Sequence, residues 1–501
     1  MTITKRFKIA RRTSTPLVVA RTSDAASVMS TLTAEYTDAP IMQWDAAQGF
    51  TARTEAGVVA MTDLCRANNG DTVVLNPADA IHQLRNVAPS TIVFILNAHR
   101  VWQDISTMQA IWNLRDVYKS NSRMLVMLVT HEATVPRELD SDVIVIDDPL
   151  PDEDQLVEII NAQYDNATLD HPDADILRRA VDATKGMEGA FIVEQNTAMC
   201  LTKQGVNLDE LWESKRQAVE RTPGATVHRD RIPINQVGGH AGAKHAVLRE
   251  INSKQRIKLV VVFDEFEKSM AGAAGDTSGV SQDASKMVLT HMQDHGVRGM
   301  ILFGHPGAGK TLIAKTMATE ADCICIMADM GAMKGSLVGE SEAKIRQFFK
   351  MVSSIAGDGG AFFVATCNST GALTTEMRRR FKTGFFFVDL PDREEKDAVW
   401  KIHMSKRNLD EQPMPDDTNW TGAEIESACE KADNYSITLV EAAESIVPVA
   451  QAQPELIQAR RLEASGRLLS SSTGRTYIYD EAVTPAAVPV ASKGSRKVSV
   501  N

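Results

Sequence analysis

An apolar run ending in two acids, Val260-Val261-Val262-Phe263-Asp264-Glu265, stands upstream of a glycine-rich loop, Gly304-His305-Pro306-Gly307-Ala308-Gly309-Lys310-Thr311. The loop has the form G-x-x-x-x-G-K-T, between an apolar stretch at 299–303 and a helical one at 311–321. That context suits a phosphate-gripping loop: glycines let backbone N–H groups turn inward, and the helix N-terminus adds positive potential. Such a loop ordinarily precedes the acidic strand. The reversed order is a strong constraint, because both segments must still end at one edge of a parallel sheet.

The chain has 501 residues, too many for one hydrophobic core, so two to four domains are expected. A hydrophobic content of 43% with 24% charged residues is that of a water-soluble globular chain. The net charge of −11 argues against a broad nucleic-acid surface. The six cysteines lack metal-ligand spacing, and Cys323-Ile324-Cys325 alternates as in a core strand, which fits a reducing compartment. No stretch is apolar enough to span a bilayer, and the basic start (Lys5, Arg6, Lys8, Arg11, Arg12) lacks the apolar core of a secretory signal. A cytoplasm-like space is the expectation, a host cytoplasm if the chain is viral.

Residues 1–220 alternate strands, expected at 16–20, 40–44, 91–97, 123–130 and 142–146, with helices. Their Val, Ile and Leu content with little alternation predicts a parallel sheet covered on both faces. Residues 174–202 read as a helical segment and the polar stretch 213–231, with Thr222-Pro223-Gly224, as a linker, bounded as 221–234. Residues 235–392 repeat the alternation, with strands at 258–263, 299–303, 323–328, 361–367 and 384–388 and a helix at 340–355 whose apolar face is Ile345, Phe348, Phe349, Val352 and Ile355. Residues 393–480 read as a helical lid and C-terminal extension, and 481–501 as a disordered tail. Each half ends its last strand in proline and acid, Asp148-Pro149-Leu150-Pro151-Asp152 against Asp389-Leu390-Pro391-Asp392, which hints at an internal duplication. The first half has Arg21-Thr22-Ser23-Asp24 where the glycine loop would stand and Ile95-Leu96-Asn97-Ala98 at the acidic-strand position, so it is expected not to hydrolyse ATP.

In the second half, Lys310 is placed to reach β- and γ-phosphates and the Thr311 hydroxyl to ligate Mg²⁺, with Leu312 following in the loop's helix. Asp264 would hold the metal through water, and Glu265 would act as general base. Asn368, ending the strand 361–367, either orients the attacking water or forms a turn; the motif alone does not choose. Arg378-Arg379-Arg380 reads either as a solvated loop or as a cation aimed at a neighbouring subunit's γ-phosphate.

Residues 235–440 resemble an AAA+ ATPase of the protein-remodelling group. The loop resembles Walker A, residues 260–265 Walker B, Asn368 sensor 1, Arg380-Phe381 the arginine-finger segment with Arg379 as fallback, and Thr421-Gly422-Ala423-Glu424 the Gly-Ala sensor 2. Leu337-Val338 within Leu337-Val338-Gly339-Glu340-Ser341-Glu342 resembles the first pore loop. Similarity extends, through Asp264-Glu265-Phe266-Glu267-Lys268, residues 275–281 and Ala464-Ser465-Gly466-Arg467, to a family of AAA ATPases from chloroplast and cyanobacterial genomes with a degenerate AAA-like domain in front.

The resemblance implies an α/β fold: a P-loop AAA+ module with permuted strand order and a small helical lid, preceded by a degenerate AAA-like α/β domain. It implies ATP and Mg²⁺ as cofactors, with Gly422 and Ala423 at the nucleotide, and a homo-oligomeric ring, a hexamer above all, that remodels or threads a polypeptide. A nucleic-acid motor or loader and a nucleotide-gated scaffold are the alternatives. Three departures qualify it: the acidic strand and its helix stand ahead of the loop, a second arginine finger would fall at Thr383, and the pore position holds no aromatic residue.

Overall fold

The computed structural model describes residues 3–67, 73–131, 133–187, 189–267, 280–333, 340–369 and 375–479. The chain divides into two compact units, Met1–Trp212 and Glu213–Asn501.

In the first unit, β1 (Leu17–Arg21), β2 (Ile41–Asp45), β3 (Gly49–Ala52), β4 (Ile92–Ile95), β5 (Met124–Val129) and β6 (Ile144–Asp147) form a sheet in the order β3-β2-β4-β5-β1-β6. Neighbours are parallel except in the β2–β3 hairpin. β5 is buried along its whole length, as an unbroken apolar strand between two covered faces must be. One core layer holds Trp44, Ile111, Leu114 and Tyr118; another holds Phe7, Leu32, Phe94 and Val126. A separate helical cluster is built on Leu156, Ile160, Tyr164 and Val193. The helical stretch expected over 174–202 is two helices, Ala174–Thr184 and Ala190–Met199, followed by a small hairpin, β7 (Leu201–Thr202) with β8 (Gly205–Val206). Gly186 and Gly189, both at positive φ, separate the two helices.

The second unit contains β9 (Ala225–His228), β10 (Leu259–Phe263), β11 (Arg298–Gly304), β12 (Ile324–Ala328), β13 (Ala361–Cys367), β14 (Gly384–Val388) and β15 (Leu469–Ser470), in the order β15-β14-β11-β13-β10-β12-β9. Only β9 is antiparallel to its neighbour. β10, which leads into Asp264, precedes β11 in the chain, yet lies between β12 and β13 in the sheet. The helix Glu340–Ala356 feeds β13, the neighbour of β11, rather than β10. Residues 337 and 338 of the expected pore loop lie outside the described residues, as do residues 481–501.

The central strands β10 and β13 are fully buried. Phe263 and Phe363 meet edge-on at 5.2 Å, and Phe348, Phe349 and Phe266 extend this aromatic layer. Full burial of one such side chain stabilises the fold by roughly 1.5–3 kcal/mol.

The stretch read as a linker is ordered. A helix runs over Leu208–Glu220, and β9 follows with Ala225 and Val227 buried on one face. A four-residue strand with only two inward positions carries too weak an alternation to be read locally. The helices Arg393–Lys406, Gly422–Tyr435 and Leu439–Ala443 pack around Trp400, Trp420, Ile425 and Leu439. Asp392 starts the first of them in a capping box with Glu395. After the helix Pro454–Ala464 the chain returns to the sheet as β15, beside β14.

Candidate functional site

Strand register decides what meets at the carboxyl edge of the second sheet. Phe263 is level with Ala365, and Phe303 with Cys367, so Asp264, Gly304 and Asn368 emerge side by side. β11 passes into the loop at Gly304, where a Cβ would stand 2.1 Å from the Val388 carbonyl oxygen, so only glycine fits. Gly307 and Gly309 take φ of +74° and +90°, the left-handed region that glycine enters freely. The helix Lys310–Glu320 then starts with its N-terminus facing the loop.

Lys310 is buried, and its Nζ donates to the carbonyls of Gly304 (3.1 Å) and His305 (2.8 Å) and to Asn368 Oδ1 (2.8 Å). Burial, reinforced by the charge of Arg460, pushes its pKa down to about 8. Thr311 Oγ1 donates to Asp264 Oδ1 at 3.0 Å, and Thr366 Oγ1 donates to the same oxygen. Glu265 turns off the strand at φ +48°, its backbone N–H bonded to Thr366 Oγ1 at 3.0 Å. Asn368 is held from three sides: its N–H donates to Glu267 Oε1 (2.9 Å), its side chain meets Lys310, and its carbonyl accepts from Arg460 Nε (2.9 Å).

Gly422 and Ala423 come to the same place. Ala423 N–H donates to the Gly307 carbonyl at 3.2 Å, at the start of a helix capped by Thr421 and Glu424. Pro306 is exposed, Ala308 is buried, and Leu312 packs against the sheet's core. His305 is different. Its ring is wholly buried, with Nε2 3.3 Å from Asp389 Oδ1, so this residue offers the loop its backbone only.

Arg379 and Arg380 are not brought to the loop. They end the helix Thr375–Arg380 before β14, at the sheet edge where Thr383 N–H bonds the Gly299 carbonyl at 3.1 Å. Arg380 donates there to Gln293 Oε1, and Arg378 lies over the Phe385 ring at 5.1 Å. Thr383 is buried, its hydroxyl donating to Glu250 Oε1 at 3.1 Å.

Four contributors escaped sequence reasoning: Thr366, Glu267, Arg460 and His240. His240 sits in the left-handed region at φ +56°, bonded through N–H to Glu395 Oε1 (2.9 Å) and through Nδ1 to Ser471 Oγ (3.1 Å). The only local signal was Val237-Gly238-Gly239 ahead of a helix; at Gly238 a Cβ would meet Val399 Cγ2 at 2.4 Å.

Residues 3–147 match the family model of the SpoVK-like AAA ATPase N-terminal domain, and residues 300–359 match that of the ATPase family associated with various cellular activities (AAA). The chain is 21% identical over 489 residues to the AAA domain-containing protein ycf46 of Guillardia theta, covering 86% of this chain and 87% of that protein. It is 22% identical to ycf46 of Trieres chinensis over 502 residues, 87% of this chain and 91% of the relative. Spastin of Drosophila virilis is 27% identical over 207 residues, 36% of this chain and 26% of spastin. No helix among the described residues is long and apolar enough to cross a membrane. The mixed α/β chain thus carries a SpoVK-like AAA ATPase N-terminal domain followed by an AAA domain.

Proposed function

We propose that this protein hydrolyses Mg²⁺-ATP and works as a homo-oligomeric ring, a hexamer, that remodels or threads a polypeptide in a cytoplasmic space. The observation that carries the hydrolytic reading is the 3.0 Å contact between Thr311 and Asp264, beside the Lys310–Asn368 bond of 2.8 Å. The acidic strand comes early in the chain and still delivers its carboxylate to the loop.

A magnesium ion fits this donor set. Thr311 Oγ1 and Asp264 Oδ1 are hard oxygen ligands, and Mg²⁺ is typically held by one or two carboxylates together with substrate phosphates. Bound there, it would neutralise charge on the β- and γ-phosphates. The chain's own residues do the rest. Backbone N–H groups of the loop residues other than Pro306, which has none, cradle the phosphates, and Lys310 exchanges its carbonyl partners for phosphate oxygens, a stronger charge-assisted bond. Glu265 takes the proton of the attacking water, and Asn368 orients that water against the γ-phosphate. Arg380, with Arg379 beside it, acts on a neighbouring subunit's nucleotide; its place at the far sheet edge supports action in trans rather than in its own site. Gly422 and Ala423 report lid position to the loop through the bond to Gly307.

The relocated acidic strand is part of this proposal. The AAA match ends at Gly359, where the chain enters β13 in place of the strand that bears the acids. Threading rests on the resemblance of Leu337-Val338 to a pore loop.

Glu265→Gln is expected to lower ATP turnover by about 10²- to 10⁴-fold while leaving ATP bound and the ring assembled. Steady-state hydrolysis, nucleotide retention and mass measurement with and without ATP check this together. Normal turnover removes the general-base role; strong stimulation by single- or double-stranded DNA would instead favour a nucleic-acid motor.

A further inference from the structure

We propose that Arg460, on the C-terminal helix Pro454–Ala464, contacts the γ-phosphate of ATP bound in the same chain, as a second cation beside Lys310. This rests on the ATP-binding reading above and adds to it a group from outside the loop, the acidic strand and the lid.

Arg460 is only 9% exposed, rare for an arginine unless it is paired. Its Nε is committed to the Asn368 carbonyl at 2.9 Å, which fixes the plane of the guanidinium. Its Nη1 is buried and has no hydrogen-bond partner among the described residues. Leaving a charged donor in that condition is costly, and the cost signals a missing acceptor. Arg460 also shares its surroundings with buried Lys310. Among the described residues neither cation has an ion pair with a carboxylate, and Lys310 is bonded to carbonyl and amide oxygens instead. Burial pushes the pKa of both downward, and Arg460 is the charge that acts most on Lys310. Two buried cations at one strand edge call for an anion there.

Glu267 is the competing partner. Its charge acts on Arg460, but its Oε1 accepts the Asn368 N–H at 2.9 Å, and its Oε2, like Arg460 Nη1, is buried without a partner. The two orphaned groups therefore do not satisfy each other. A phosphate oxygen beside Lys310 and Asn368 would satisfy the guanidinium with its natural fork geometry. The γ-phosphate is the one to expect, because Asn368, which Arg460 grips, is the residue placed at the attacking water.

The test measures ATP and ADP affinity by calorimetric titration in the Glu265→Gln background, with Arg460 intact, Arg460→Gln and Arg460→Lys. Glutamine keeps a donor for the Asn368 carbonyl and removes the charge. Arg460→Gln is expected to weaken ATP by about 10- to 100-fold, the range for one charged hydrogen bond, and to leave ADP nearly unchanged. Arg460→Lys is expected to recover part of the loss. Equal weakening of both nucleotides, or of neither, overturns the proposal, and the former would make Arg460 a support for Asn368 and Glu267. Should the glutamine variant not fold, the lysine variant decides: reduced ATP-over-ADP preference supports the contact, unchanged preference overturns it. A Glu265→Gln parent that binds no ATP at all would sink the ATPase reading itself, a distinguishable failure.

Discussion

Thr366 shows how much of this site depends on a side chain with no motif of its own. It is 1% exposed near the carboxyl end of β13, and one hydroxyl both donates to Asp264 and accepts the Glu265 N–H. That hydroxyl sets where both acids leave the neighbouring strand. Thr366→Val keeps the shape and removes the two bonds, leaving the part-buried Glu265 N–H without this partner. Stability is expected to fall by about 1–3 kcal/mol, and kcat to fall more than ATP affinity. Denaturant titration and steady-state kinetics check this; a variant with unchanged kcat would show that the acids hold their places unaided. Arg460 belongs to the same scale: a buried cation whose contact partners, not its sequence neighbours, define its role.

At the scale of elements, the C-terminal helix and β15 are stitched to the glycine loop through Asp389. Arg461 Nε donates to Asp389 Oδ1 at 2.9 Å, Tyr477 OH to Oδ2 at 2.7 Å, and the His305 ring stands 3.3 Å away. Ser471 adds a backbone bond to the Phe387 carbonyl at 2.9 Å, and its own carbonyl accepts Ala243 N–H at 2.8 Å. Burial alone would push the Asp389 carboxyl up; His305, Arg461 and Tyr477 outweigh it and hold it below the usual range. The sign follows from linkage. A carboxyl whose pKa is depressed on folding contributes stability above its unfolded pKa of about 3.9, and loses it as the pH falls toward the folded value. Asp389→Asn is expected to cost on the order of 2–4 kcal/mol near neutral pH, because Arg461 is left with an uncompensated charge. It should also flatten the loss of stability below about pH 4. Urea titrations of both proteins from pH 7 to pH 3 check it; parallel curves would mean that Asp389 titrates alike folded and unfolded. In the first unit Asp148 occupies the matching strand end, hydrogen-bonded by Thr22 at 2.8 Å; burial pushes its pKa up, and among the described residues no arginine opposes the shift.

The whole molecule contains two sheets that repeat one spatial plan. β6-β1-β5-β4-β2 in the first corresponds to β14-β11-β13-β10-β12 in the second. Asn97 and Glu265 both leave their strands in the left-handed region, at φ +52° and +48°, with Leu96 standing where the second unit has Asp264. The first unit thus keeps the backbone of the site without its carboxylates, glycine loop or lysine. Calorimetry of intact Glu265→Gln protein is expected to show two unfolding transitions, of which saturating Mg²⁺-ATP stabilises one. At 100-fold over Kd the gain is about 2.7 kcal/mol. Equal stabilisation of both transitions would place a nucleotide in each unit.

The sequence by itself determined which chemical groups are present: a glycine loop with lysine and threonine, an apolar strand ending in Asp264-Glu265, and a first half without either. Those signals are local, because a turn that needs positive φ or a strand buried on both faces writes its requirement into adjacent residues. What the tertiary structure decided lies across long separations. Thr366 meets Asp264 over 102 residues, and Arg460 meets Asn368 over 92. β9 and β15 gain their identity from the strands they join, since two to four residues carry too little pattern alone. The exchanged chain order was legible in the motifs. That both acids and the loop still share one edge depended on strand register, which only the assembled sheet fixes.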